Sequence, residues 1–340
     1  CKEYGCNAPY VKQHSCQCNT KCTSHGNCCP DLAQECGGLI PSAPGPAAAS
    51  RIFGHPSHSK SYPKYPGFTL MLVEEFDQPL DLDGDPIWTW SDGGLHEGQV
   101  RFVKEQISFG GGKMRIEVKK NPGWQQPCSH AQSQTVKPKA LVSGELRTRY
   151  NMFRYGRYEV RMKAPCVHPG DAKTNGNFVS TMFTFRDASF KHWREIDMEI
   201  TGRKAGAIST NVINGDYKWR WYPSIEETDY PKTYHDINAR SDFHTYAFEW
   251  LPDVVRWYID GKVVREKRNS GVPVPEMSAK IMMNLWIYRM TKYPFGGFDL
   301  RNDRFPMHSE YDWFRFYKWD GDANYPPPDM SGSSLSQDDK

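Results

Sequence analysis

In the segment Trp193-Arg194-Glu195-Ile196-Asp197-Met198-Glu199-Ile200, three carboxylates alternate with Ile, Met and Ile. Successive side chains of a β-strand point to opposite faces. Ile196, Met198 and Ile200 therefore enter a core, while Glu195, Asp197 and Glu199 line the other face in one row. Like charges in a row repel, so an ordinary solvated strand disfavours them. They are held if they share a proton or bind a cation. Paired carboxylates are what glycoside hydrolysis needs, because a retaining enzyme sets two of them roughly 5–5.5 Å apart. Calcium binding and a merely solvated acidic strand are the alternatives. Residues four apart on a flat strand are separated by roughly 13 Å along the backbone. The two glutamates converge only if the strand curves with their side chains on the concave side. Asp197 then lies between them, placed to hold a proton or to bond the nucleophile. Electrostatics requires the two glutamates to differ in protonation and leaves their roles interchangeable.

A bent sheet with a groove must position this row, and the chain has the material for one. Of its 340 residues, 18 are Tyr, 17 Phe and 11 Trp, ample surface to bury, which excludes disorder throughout. Between residues 67 and 322, short runs rich in β-branched and aromatic residues follow one another, separated by Gly, Pro, Asn and Asp. FTLMLVEEF, GRYEVRMKA, FVSTMFTF, HTYAFEWL and KIMMNLWIY are examples. Ten or more strands without a long amphipathic helix predict an antiparallel sandwich. No apolar run approaches the roughly 20 residues of a membrane span. Lys plus Arg number 43 against 40 for Asp plus Glu, a net +3 that argues against nucleic acid as the partner.

The cysteines are unevenly spread. Cys1, Cys6, Cys16, Cys18, Cys22, Cys28, Cys29 and Cys36 crowd the N-terminus, and only Cys128 and Cys166 follow. So short a segment cannot fold on its core alone and needs covalent staples. Zinc is the competing reading, but paired C-x-x-C knuckles are missing and Cys28-Cys29 are adjacent. Disulfides place the chain in an oxidising, extracellular compartment, and a start at Cys1 reads as a secreted protein whose leader has been removed. Residues 37–66 are rich in Pro, Gly and Ser and read as a linker, in which His55 and His58 are solvated. Residues 323–340 read as a flexible tail.

The run EIDME within HWREIDMEITG resembles the active-site signature of glycoside hydrolase family 16. SGELRT at 143–148, FHTYAFEW at 243–250, WYIDGK at 257–262, KIMMNLW at 280–286 and EYDW at 310–313 are similar to segments of its lichenases, in the same order. The resemblance covers roughly residues 70 to 320 and implies a curved antiparallel β-jelly roll. It implies a retaining endo-β-glucanase acting on 1,3-1,4- or related glucans, with a transglycosylase or a non-catalytic carbohydrate-binding matrix protein as alternatives. On this resemblance Glu195 is the nucleophile, Glu199 the acid/base and Asp197 the assisting carboxyl. Trp193 and Trp286 are sugar-stacking indoles, Asn284 a hydrogen-bonding amide, and Glu145 with Arg147 a pair that bonds sugar hydroxyls. A core role for Trp193 and an ion pair for Glu145 and Arg147 remain as alternatives. The unbroken E-x-D-x-E matches the lichenase and transglycosylase branches, since laminarinases usually carry a β-bulge there. Trp219, Trp221 and Tyr222 either extend the groove or are structural.

Family members need no cofactor for catalysis but often hold a structural calcium on the face away from the groove. Asp312 occupies the matching carboxylate position and Gly112 the matching carbonyl; oxygen ligands suit calcium. Asp81-x-Asp83-x-Asp85 lacks the glycine and final glutamate of an EF-hand and reads as a turn. Arg194 replaces the acid of many relatives and should point away from the groove. Cys128 and Cys166 are candidates to pair. The N-terminal pattern C-x4-C-x9-C-x-C-x3-C-x5-CC-x6-C resembles the somatomedin B domain over residues 1–36, with one extra residue in the first gap. Eight cysteines allow on the order of a hundred pairings. The resemblance implies Cys1–Cys18, Cys6–Cys36, Cys16–Cys29 and Cys22–Cys28, and a module that binds a protein partner.

Overall fold

The computed structural model describes residues 14, 16, 29, 52–57, 59–93, 100–122, 141–166, 178–186, 193–202, 207–215, 232–235, 237–287 and 305–325. Among them the strands are β1 (Phe53–His55), β2 (Phe68–Glu74), β3 (Trp88–Trp90), β4 (Val100–Phe102), β5 (Ile107–Phe109) and β6 (Met114–Lys120). Next come β7 (Leu141–Ser143), β8 (Glu145–Thr148), β9 (Gly156–Lys163), β10 (Phe178–Arg186), β11 (Trp193–Thr201) and β12 (Ala207–Gly215). The last are β13 (Lys232–Tyr234), β14 (His244–Trp250), β15 (Val254–Ile259), β16 (Lys262–Arg268), β17 (Lys280–Ile287) and β18 (Met307–Trp319).

Two sheets result. The smaller runs β13-β12-β11-β10-β17-β8-β3 and carries the acidic row. The larger runs β16-β15-β14-β9-β18-β6-β7-β4, with β2 also on β18, β1 on β2 and β5 on β6. Pairing is antiparallel except β1 with β2 and β4 with β7. Alternation explains why the sheets stack. In β9, Tyr158, Val160 and Met162 are fully buried, while Arg157, Glu159, Arg161 and Lys163 take the outer face. Aromatic rings fill the middle: Tyr158 stacks on Phe248 and packs against Phe316, both at 4.7 Å. Register shifts in β18 at Tyr311/Trp313 and Phe316/Tyr317 bend this 13-residue strand.

The fold begins upstream of Gly67, inside the segment read from sequence as linker. β1 lies parallel to β2, and Gly54 fits there because a Cβ would stand 2.2 Å from the Val73 carbonyl oxygen. His55 is not simply solvated: its Nδ1 is 2.9 Å from buried Glu74 Oε2. Tyr65 donates to Glu159 Oε1 at 2.7 Å and meets Tyr317 edge-on at 5.0 Å. At the other end, the Tyr325 hydroxyl bonds the Met152 carbonyl at 3.1 Å, so packing extends into the start of the tail. In the N-terminal region, Cys16 and Cys29 form a disulfide, one of the four pairings implied. The other six cysteines there lie outside the described residues, as do Cys128 and His58; Cys166 is exposed.

Candidate active site

β11 lies between β10 and β12, and its register with both runs without a shift. Glu199 stands opposite Thr181 and Ser209, Asp197 opposite Phe183 and Asn211, and Glu195 opposite Phe185 and Ile213. Ile196, Met198 and Ile200 are at most 1% exposed, so the row of acids occupies the face turned from the core. Glu195 and Glu199 are partly accessible, whereas Asp197 between them is buried. Burial first, then the charges of Glu195 and Glu199 and a hydrogen bond with Glu195, push the Asp197 carboxyl well above the ordinary range. Asn211 acts in the opposite sense by bonding it. In its protonated form Asp197 is the donor of that bond to Glu195. The Trp193 indole N–H also donates to Glu195 Oε2, and its ring meets Phe185 edge-on at 6.2 Å.

Beside the row, a buried polar chain crosses three strands. Glu145 Oε1 accepts from Ser91 Oγ at 2.5 Å and Oε2 from Asn284 Nδ2 at 2.7 Å. Asn284 Oδ1 in turn accepts from Thr181 Oγ1 at 2.6 Å, and Thr181 faces Glu199 across the ladder. Burial raises the Glu145 pKa against the opposing pull of Ser91, Asn284, Arg147 and Lys280. Both Glu145 oxygens are thus engaged within the protein, where they orient the Asn284 amide. Arg147, two residues on, is partly accessible. The larger sheet supports this floor: the Tyr311 hydroxyl lies 3.0 Å from Thr181 O and 3.1 Å from Asn284 O.

A family model described as glycosyl hydrolases family 16 matches residues 98–313, and one for the somatomedin B domain matches residues 1–38. The chain belongs to glycosyl hydrolases family 16. A beta-glucanase of Acetivibrio thermocellus is 34% identical over 67% of the chain and 57% of its own length. The chain thus spans little more than half of that relative. A beta-glucanase of Brevibacillus brevis is 30% identical over 71% of the chain and 81% of its own length. The solved Bacillus licheniformis beta-glucanase shares the fold with a TM-score of 0.54 at 24% identity, over 73% of this chain and 97% of that one.

Trp193, Glu195, Asp197, Glu199, Asn284, Glu145 and Arg147 all fall on the smaller sheet. Trp286 shares a strand face with Asn284 but is only 9% exposed. Arg194 turns from the row, donating to Trp193 O at 3.2 Å and Gly215 O at 3.0 Å, with Glu276 Oε1 3.3 Å from Nη2. Ser91, Thr181, Asn211, Phe183 and Phe185 were not singled out from sequence. Alternation along FVSTMFTF, laid against the acidic strand, carries the signal for the last two and Thr181. Trp219, Trp221 and Tyr222 lie outside the described residues.

The Asp81–Asp85 run is a turn: Asp85 N bonds Asp81 O, and Arg149 donates to the carbonyls of Leu82, Asp83 and Asp85. Asp312 is on the outer face of the larger sheet, and its carboxylate accepts from Arg161. Gly112, at φ +68°, lies near Asp77, and Lys60 bonds neighbouring Glu75. Among the described residues, no three His, Cys, Asp or Glu side chains gather to hold a metal. Asp312 thus already holds a guanidinium, and Glu75 an ammonium.

Proposed function

We propose that this family 16 chain is a secreted, endo-acting retaining β-glucanase that cleaves 1,3-1,4- or related β-glucan. The observation that carries the reading is the acidic row itself: Glu195 and Glu199, partly accessible, share one face of β11 with Asp197 buried between them. Glu195 receives two donors, the Trp193 indole and the Asp197 carboxyl. Donors favour the ionised carboxylate, which suits Glu195 to the nucleophile's role that the family resemblance implies, with Glu199 as the acid on the same resemblance. In the first step Glu195 attacks the anomeric carbon while Glu199 gives its proton to the departing glycosidic oxygen, leaving a glycosyl-enzyme ester. In the second, ionised Glu199 takes a proton from water, whose oxygen attacks the same carbon and frees Glu195. Asp197 keeps its proton and lends it as a hydrogen bond to whichever form Glu195 takes.

The beta-glucanase relatives support the substrate class, and the unshifted register of β11 supports the lichenase-like branch. The N-terminal somatomedin B match and its disulfide support an extracellular protein whose first domain binds a protein partner. The test is incubation with a panel of β-glucans and labelled oligosaccharide acceptors, products being separated by chromatography. Hydrolysis yields free reducing oligosaccharides; a transglycosylase lengthens the label instead. With an activated glycoside and azide, Glu199→Ala should give the β-glycosyl azide and Glu195→Ala the α-azide. The reverse stereochemistry would exchange the roles, and no cleavage of any glucan would end the enzyme reading.

A further inference from the structure

On the outer face of the larger sheet, Lys60 meets three carboxylates: it bonds Glu75, just past β2, and lies within the field of Asp77, two residues on, and Asp312 in β18. The Glu75 side chain is fully buried, and burying a carboxylate is costly unless it is paired with a cation. Lys60 supplies it, bonding Glu75 Oε2, while Arg315 Nη2 lies 3.6 Å from Oε1. The Lys60 ammonium also feels the negative charges of Asp77 and Asp312, and the Glu75 bond is the largest cause of its raised pKa. Gly112 adjoins the same place, since a Cβ on it would stand 3.5 Å from Asp77 Oδ1. Arg161 bonds Asp312 and is itself held over the Phe243 ring at 4.9 Å. Lys163 and Lys113 approach the same ring at 5.1 and 5.8 Å. Glu75 thus holds Lys60 with Arg315 beside it, Asp312 holds Arg161, and Lys163 is itself paired with Glu310; carboxylates already neutralised in this way oppose entry of a divalent cation.

We propose that Lys60 and Arg161 supply from within the chain the positive charge for which the family resemblance implies a calcium ion, so that this protein keeps its stability without calcium. Lys60 arrives on the segment that precedes β2, upstream of the residues matched by the family model. That segment thereby has a task beyond linking: it closes the outer face and neutralises it.

Equilibrium dialysis against calcium and thermal unfolding of the full chain test this. The wild-type melting temperature should be the same in chelator and in calcium, and calcium uptake should not differ between wild type and Asp312→Asn. The double variant Lys60→Met/Arg161→Ser should melt lower in chelator. Calcium at about a hundredfold above its Kd should raise it by about 5–10 °C. Adding Asp312→Asn to that variant should abolish the rescue. Wild-type calcium uptake that Asp312→Asn removes would overturn the proposal, and this comparison stands whether or not the double variant folds. A double variant that folds and gains no calcium response would overturn it too.

Discussion

Trp257 Nε1 donates to the main-chain carbonyl of Asp197 at 2.8 Å, crossing the core from the larger sheet to the strand that carries all three acids. The indole is fully buried, and Arg265 covers it at 4.7 Å while bonding Thr210 of β12. The middle carboxylate is thus fixed from behind by a residue that never meets the groove. Trp257→Phe keeps an aromatic ring but loses part of the indole's bulk and leaves that carbonyl without its donor. It should cost about 1–3 kcal/mol in chemical denaturation and lower kcat more than it raises KM. An unchanged unfolding midpoint would contradict the role.

Asp197 also sets a pH dependence. Its folded carboxyl holds a proton far above the ordinary Asp value, because of burial and the charges of Glu195 and Glu199. As pH rises above about 3.9, the unfolded chain releases this proton before the folded one does. Stability therefore falls with rising pH through that window and stops falling above the folded value. Asp197→Asn should flatten this slope in urea titrations across pH, while Glu74 and Glu145, also raised by burial, keep theirs. Wild type and variant with parallel curves would exclude the assignment.

Glu145 orients the Asn284 amide. Replacing it by Ala leaves the Ser91 hydroxyl and the Asn284 amide without their acceptor, at about 1–3 kcal/mol. Freed Asn284 no longer fixes Thr181 opposite Glu199, so kcat/KM on glucan should drop about ten- to a hundredfold. Glu145→Gln, which keeps one acceptor oxygen, should lose less. Equal activity for all three forms would show that the buried chain does not position the site.

Arg194 and Glu276 form an uneven pair. The arginine is buried and satisfies two strand-end carbonyls; the Glu276 side chain is 55% exposed. Arg194→Ala should cost about 1–3 kcal/mol and loosen the end of β11 that carries Trp193 and Glu195. Glu276→Ala should stay within about 1 kcal/mol. Equal losses measured by denaturation would mean that the ion pair, not the carbonyl capping, holds this corner.

Period-two alternation determined a great deal before any fold was known. It put Ile196, Met198 and Ile200 inside and the three acids together outside, because strand geometry ties face to parity whatever the neighbours are. Composition and strand count determined the β-sandwich, and cysteine crowding the stapled N-terminal domain, since each follows from local chemistry. What only the tertiary structure decided depends on partners far apart in sequence. That Ser91 and Asn284 bond the oxygens of Glu145 is not legible in the sequence, and His55 and Lys60 read as linker until Glu74 and Glu75 are found beneath them. The two glutamates are equivalent by spacing, and the surroundings of Glu195, a buried Asp197 and the indole of Trp193, are set by the fold. A residue's charge state is set by the dielectric and donors around it, and those are assembled only when distant strands meet.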